Sequence, residues 1–238
     1  GSVNINGAKN STLPILAGAI LSGDNVMIKN IPDLKDVRTM MDVLRSIGLR
    51  LTEDFESREL HIKPSEKLNI ETPYELIKQM RASFFVLGPL LARMGKARVA
   101  LPGGCAIGTR PVDIHLKGLE KLGAKIILGH GYVEASASKL VGDNVYLDFP
   151  SVGATENIMM AATLAEGKTL IENAAKEPEI DDLAAFLNTL GARIKGAGTD
   201  VIEITGVKSL GGGMHSIIPD RIEAGTFMVA AAMTGSNI

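Results

Sequence analysis

Three stretches of this chain repeat one pattern: proline with an acid, an amphipathic helix closed by Leu or Ile and Gly, then a strand. They run from Pro32-Asp33-Leu34-Lys35-Asp36 to Ile47-Gly48-Leu49-Arg50-Leu51, from Pro111-Val112-Asp113 to Leu122-Gly123-Ala124-Lys125-Ile126, and from Pro178-Glu179-Ile180-Asp181-Asp182 to Leu190-Gly191-Ala192-Arg193-Ile194. An apolar segment of helical character precedes each, at 11–21, 82–94 and 154–165. The repeating unit is therefore about 70 residues long and holds two helices. Such a unit leaves one apolar helix face uncovered, which only neighbouring copies can bury, so three copies should share one core.

Short β-branched runs between the helices mark strands at 26–29, 49–52, 60–62, 97–100, 125–128, 132–135, 144–147, 169–171, 193–195 and 201–205. The order of helix, strand, helix and paired strands predicts an α/β (α+β) fold with mixed sheets packed against helices. Gly48, Gly123 and Gly191 stand where left-handed helix caps are needed, Pro111 where a first helical residue belongs, and Pro14 early in the first helix, where a missing donor is tolerable. The glycines at 211–213 read as a hinge or linker. A fourth unit opens at Asp220-Arg221-Ile222-Glu223-Ala224-Gly225 and continues apolar through 226–233, so the chain is expected to stop in mid-repeat. That last helix, deprived of partner strands, is expected to self-associate through the 220–233 segment.

With 45% hydrophobic and 22% charged residues the composition is that of a globular protein, and no apolar run approaches the ~20 residues that span a bilayer. The amino terminus lacks the basic and apolar regions of a secretory signal. One cysteine excludes an internal disulfide framework and an all-cysteine metal site, and suits a reducing cytoplasm. Histidines at 61, 115, 130 and 215 have no metal-ligand spacing, and a net charge of −2 argues against a nucleic-acid partner.

Residues that break the repeat pattern are the better candidates for function. Lys9, in Gly7-Ala8-Lys9-Asn10-Ser11, falls at the positive end of a helix, where a cation is useful only if an anion joins it. The plainer alternative is a solvated lysine beside a cap made by Asn10 or Ser11. Met80-Arg81-Ala82-Ser83 puts a second cation at a helix start, with pairing to Glu75 as the plain alternative. Together they suggest a phosphate-rich ligand. The third departure is the loop from Leu101 to Asp113, where Gly103, Gly104 and Gly108 surround Cys105, with Arg110 close by. A neighbouring arginine lowers a thiol's pKa, whereas a buried thiol is only a small hydrophobe. His115 makes a weak case for a Cys-His pair. Neither a Walker loop nor a Gly-x-Gly-x-x-Gly turn after a strand occurs.

Gly7-Ala8-Lys9-Asn10, Arg81-Ala82-Ser83, the run from Pro102 to Asp113, Ser151-Val152-Gly153-Ala154-Thr155 and Pro219-Asp220-Arg221 together closely resemble the UDP-N-acetylglucosamine 1-carboxyvinyltransferase branch of the enolpyruvyl transferase family. The resemblance implies two lobes, each an inside-out α/β barrel of three βαβαββ units, with the active site between them. It makes residues 9–218 the complete cysteine-bearing lobe, and 1–8 and 219–238 remnants of a second. It implies transfer of the enolpyruvyl group of phosphoenolpyruvate to the 3-hydroxyl of UDP-N-acetylglucosamine with release of phosphate, at the opening of peptidoglycan synthesis, without metal or organic cofactor.

By the same resemblance Lys9 holds the phosphoenolpyruvate phosphate and is catalytic together with Cys105, which protonates the enolpyruvyl methylene and is the residue fosfomycin alkylates. Asn10, Arg81 and Arg110 contact the substrates. Pro111, Val112, Asp113 and Ile114 line the uridine diphosphate, Ser151, Val152 and Gly153 add a further nucleotide contact, and Asp220 contacts substrate. Some relatives carry a lysine where this chain has Phe149. The base and the carboxylate clamp belong to the second lobe, so the chain alone is expected to be inactive. Two alternatives stand: the 3-phosphoshikimate enolpyruvyl transferase, which typically has Ser-Lys-Ser where this chain has Ala8-Lys9-Asn10, and a non-catalytic lobe that binds a nucleotide sugar.

Overall fold

A computed structural model describes residues 1–65, 67–77, 80–101, 112–129 and 131–238. The first repeat comprises α1 (Lys9–Gly18), running on as a 3₁₀ turn (Ala19–Leu21), then β1 (Val26–Lys29), α2 (Lys35–Ser46), β2 (Arg50–Asp54) and β3 (Glu59–Lys63). The second comprises α3 (Tyr74–Ile77), a 3₁₀ segment (Arg81–Val86), α4 (Leu87–Met94), β4 (Lys96–Ala100), α5 (Asp113–Lys121), β5 (Lys125–Leu128) and β6 (Tyr132–Ser136). The third holds β7 (Asn144–Tyr146), α6 (Val152–Ala162), β8 (Lys168–Glu172), α7 (Pro178–Thr189), β9 (Arg193–Lys195) and β10 (Val201–Thr205); β11 (Gly213–Ser216) and α8 (Arg221–Thr234) follow.

The first long helix of each repeat forms the centre. Ser11 to Gly18 of α1, Leu87 to Leu91 of α4 and Ala154 to Ala162 of α6 are all buried, in keeping with their largely apolar sequence, and a few buried polar residues are carried with them. The second helices bury one face each: α2 packs Val37, Met40, Met41, Val43 and Leu44 inward. Gly48, Gly123 and Gly191 all take positive φ after these helices, as the repeated Leu/Ile-Gly pattern requires.

Each repeat has its own sheet, and the three share one plan. β1 lies between β11, which is parallel to it, and β3, which is antiparallel; β8 lies likewise between β7 and β10. In the second repeat β4 pairs antiparallel with β6, and the parallel place is reduced to a bridge between Glu71 and Arg98. The strand completing the first sheet therefore comes from the far end of the third repeat. This corrects the linker reading of 211–213: Gly213 opens β11, opposite Val26.

Two further expectations change. The segment 82–94 is 3₁₀ through Val86 and α-helical only from Leu87, which places Pro89 in a first turn that needs no donor from it. Pro14 sits in the second turn of α1, and the carbonyl it leaves without a helical donor belongs to Asn10, an exposed residue. Among the described residues no helix is long and apolar enough to cross a membrane.

Candidate functional site

The sequence-predicted residues gather at helix amino ends. α1 begins after Ala8, an extended cap residue whose side chain can accept nothing. The expected cap by Asn10 or Ser11 is not made. Asp220 serves instead: one oxygen accepts from the Lys9 amide at 3.2 Å, and the other accepts from the Ile222 and Glu223 amides at 2.8 and 3.2 Å. A single carboxylate thus caps both α1 and α8. Lys9 Nζ stands 3.1 Å from Asp36 in the first turn of α2, each side chain about 40% exposed. Its charge is answered within the chain by a residue sequence reasoning passed over. An exposed pair of this kind is worth only ~0–1 kcal/mol, so a multiply charged anion can compete for the ammonium. Asn10 is exposed beside it.

A second cluster forms where α5 and α6 begin. Ser151 caps α6 with its hydroxyl oxygen, 3.4 Å from the Ala154 amide, and no acid occupies the first turn, so that helix end keeps its positive character. Gly153 lies so close to the 3₁₀ segment and α5 that a Cβ there would stand 3.0 Å from Phe85 and 3.3 Å from His115. Val112 precedes α5 in the bridge conformation, Asp113 is exposed in its first turn, and Ile114 packs against the core. The 3₁₀ segment, which touches both α1 and α6, joins the clusters, and the backbone of Arg81 opens it. Cys105, Arg110 and Pro111 lie outside the described residues, as does the side chain of Arg81.

His115 is a core histidine. Asn157 accepts from the Gly88 amide at 2.7 Å, which turns its amino group toward the Phe84 carbonyl and toward His115 Nδ1, both at 3.2 Å. Nδ1 is then an acceptor, and the neutral ring carries its proton on Nε2. Phe84 packs edge-on against the imidazole, 5.4 Å between centroids.

Sequence reasoning also missed three buried acids. Asp182 accepts from Ser11, His215 and Ile218. Glu179 accepts two bonds from Arg221, at 3.0 and 3.2 Å, which raise the guanidinium's pKa. Glu156 has no partner for either oxygen among the described residues, and burial, with Glu179 and Glu177 nearby, pushes its carboxyl well above the usual range. The legible signal was a charged or amide residue within an apolar helical run, as in Ala154-Thr155-Glu156-Asn157-Ile158. Among the described residues no group of three or more His, Cys, Asp or Glu could hold a metal ion.

The family model for EPSP synthase (3-phosphoshikimate 1-carboxyvinyltransferase) matches residues 1–238. The chain belongs to the EPSP synthase family. Within that family it is 61% identical over its whole length to UDP-N-acetylglucosamine 1-carboxyvinyltransferases from Carboxydothermus hydrogenoformans and Caldanaerobacter subterraneus, spanning 56% and 57% of them. The Clostridium tetani protein of the same name is 59% identical over the same 238 residues. The chain thus spans little more than half the length of these relatives. Among solved structures, the enolpyruvyl transferase NikO from Streptomyces tendae superposes with a TM-score of 0.85 at 24% identity, covering 97% of this chain and 55% of NikO. EPSP synthase from Acinetobacter baumannii gives 0.77 at 20% identity, covering 98% and 53%. These two likenesses establish the shared enolpyruvyl transferase fold.

Proposed function

We propose that the protein transfers the enolpyruvyl group of phosphoenolpyruvate to the 3-hydroxyl of UDP-N-acetylglucosamine. The observation that carries this reading is the 61% identity across all 238 residues to proteins named for that reaction. The sugar hydroxyl, giving its proton to a base, adds to the central enol carbon as the methylene takes up a proton and becomes a methyl; a methyl proton is then lost as the carbon–oxygen bond to phosphate breaks and phosphate leaves. Lys9, at the amino end of α1, holds the phosphate and balances charge as the tetrahedral intermediate forms. Arg81 and Arg110 add cationic contacts, Asn10 a polar one, and Cys105 delivers the proton.

The amino ends of α5 and α6 receive the nucleotide: Pro111 through Ile114 against the uridine, with Ser151, Val152 and Gly153 toward the diphosphate, where an acid-free helix start suits anionic oxygens. Asp220, at the junction with α8, is a further substrate contact. In this reading residues 9–218 are one lobe and 1–8 and 219–238 belong to another. That second lobe, part of the length these relatives have and this chain does not span, supplies the base and the carboxylate clamp. The chain alone then has no turnover. The reaction opens peptidoglycan synthesis in the cytoplasm, and through it bears on cell shape and division.

The test is phosphate release by the full-length protein. It should require both substrates, and Lys9→Ala should lower kcat/KM by about a thousandfold. Full activity in that variant would remove Lys9 from the site.

A further inference from the structure

Asp182, on α7, is 5% exposed and binds three donors from three segments. The Ser11 hydroxyl donates from α1, His215 Nε2 from β11 at 2.8 Å, and the Ile218 amide from the following junction at 3.3 Å. Phe186, one turn along α7, packs edge-on against the same histidine, so that ring is fixed from two sides.

These bonds lead directly to Lys9. The Ile218 backbone is held on both sides, its amide donating to Asp182 and its carbonyl accepting from the Ala8 amide at 2.8 Å. Ala8 is the cap of α1, and its carbonyl accepts from both the amide and the hydroxyl of Thr12, at 2.9 and 2.8 Å. Lys9 is the next residue, and Ser11 lies within the same turn. Apart from the Asp220 cap and the Lys9–Asp36 pair, the polar contacts that run among the described residues from the first turn of α1 to other segments, through Ser11 and through Ala8 and Ile218, lead to this one carboxylate. A buried carboxylate contributes little net stability compared with apolar packing, but a fully bonded one defines position.

We infer that Asp182 is a positioning residue for Lys9: through Ser11 and the Ile218–Ala8 link it sets where the ammonium stands relative to the phosphate of phosphoenolpyruvate. This rests on the role given to Lys9 above.

The test compares Asp182→Ala and Asp182→Asn in the full-length protein with Asn188→Ala as control. Asn188 ties the last turn of the same helix to the backbone of Ile194 by two bonds, beyond Asp182 along α7. Asp182→Ala should raise KM for phosphoenolpyruvate about tenfold and leave KM for UDP-N-acetylglucosamine within about twofold. Asp182→Asn should recover most of the loss, because its amide oxygen still accepts from Ser11 and Ile218. Asn188→Ala should lower Tm without moving either constant. Equal rises in both constants, or the same phosphoenolpyruvate effect in the control, would overturn the inference.

If Asp182→Ala does not fold, Ser11→Ala carries the test with a smaller shift of the same kind. Absence of turnover in the unsubstituted protein is failure of the proposed reaction, not of this inference, and hydrogen exchange then decides. Asp182→Ala should speed exchange of the Ala8 amide at least about tenfold while α5 amides are unchanged. Unaltered exchange at Ala8 would overturn it.

Discussion

Glu156 shows how far a single side chain can depart from its exposed chemistry. In the folded chain burial, with Glu179 and Glu177 nearby, raises its carboxyl pKa well above the ordinary value of 4.5 at which it ionises in the unfolded chain. Above that pH the unfolded state gives up a proton that the folded state retains, so stability falls as pH rises toward the raised folded pKa. The fall is at most about 1.4 kcal/mol per pH unit for one such group. Glu156→Gln carries no such proton. Its stability relative to the parent should climb as pH rises above the ordinary 4.5 and level off below it, as followed by urea unfolding at each pH. At this scale the sequence was legible for Lys9, whose helix-end position follows from local pattern, while Ser151 was reached only by resemblance. It was not legible for Asp36, Asp182 or Asn157, because their partners lie 27, 171 and 69 residues away along the chain.

Among elements, the most informative contact is the shared cap of α1 and α8. Asp220→Ala removes an acceptor from two helix starts and should cost about 2 kcal/mol, whereas Asp220→Asn, a good cap, should cost well under half of that. Denaturant midpoints of the two variants check it. A loss no larger for Ala than for Asn would show that neither cap contributes. The repeated Pro-acid to Leu/Ile-Gly pattern marked α2 and α7 to within a few residues, and β1, β5, β9 and β10 occur within the expected bounds. Local pattern failed where tertiary context decides: β11 is a strand that pairs in parallel with β1, and 81–86 is 3₁₀ where a helix continuous with α4 was expected. Short α3, four residues with no sustained periodicity, had no pattern to read.

For the molecule as a whole, three sheets around a helical centre enclose one apolar core whose described members run from Ala8 to Ile217, while α8 buries none of its residues. Met228 and Met233 are 66% and 82% exposed on it. The apparent mass of the 238-residue chain in light scattering should therefore rise with concentration, and the Met228→Lys, Met233→Lys double variant should hold it at the monomer value. The three-unit plan was legible because each unit repeats its punctuation. The catalytic role proposed for the loop around Cys105 was legible only by resemblance, since a lone cysteine among glycines fits several chemistries.

The most direct measurement is phosphate release from phosphoenolpyruvate by this chain mixed with a polypeptide supplying the remaining length of its relatives, offered UDP-N-acetylglucosamine or shikimate 3-phosphate as acceptor. The account predicts release with UDP-N-acetylglucosamine alone, only in the mixture, and lost with Lys9→Ala. Release with shikimate 3-phosphate instead, or none from a folded mixture that binds the nucleotide sugar, would contradict it.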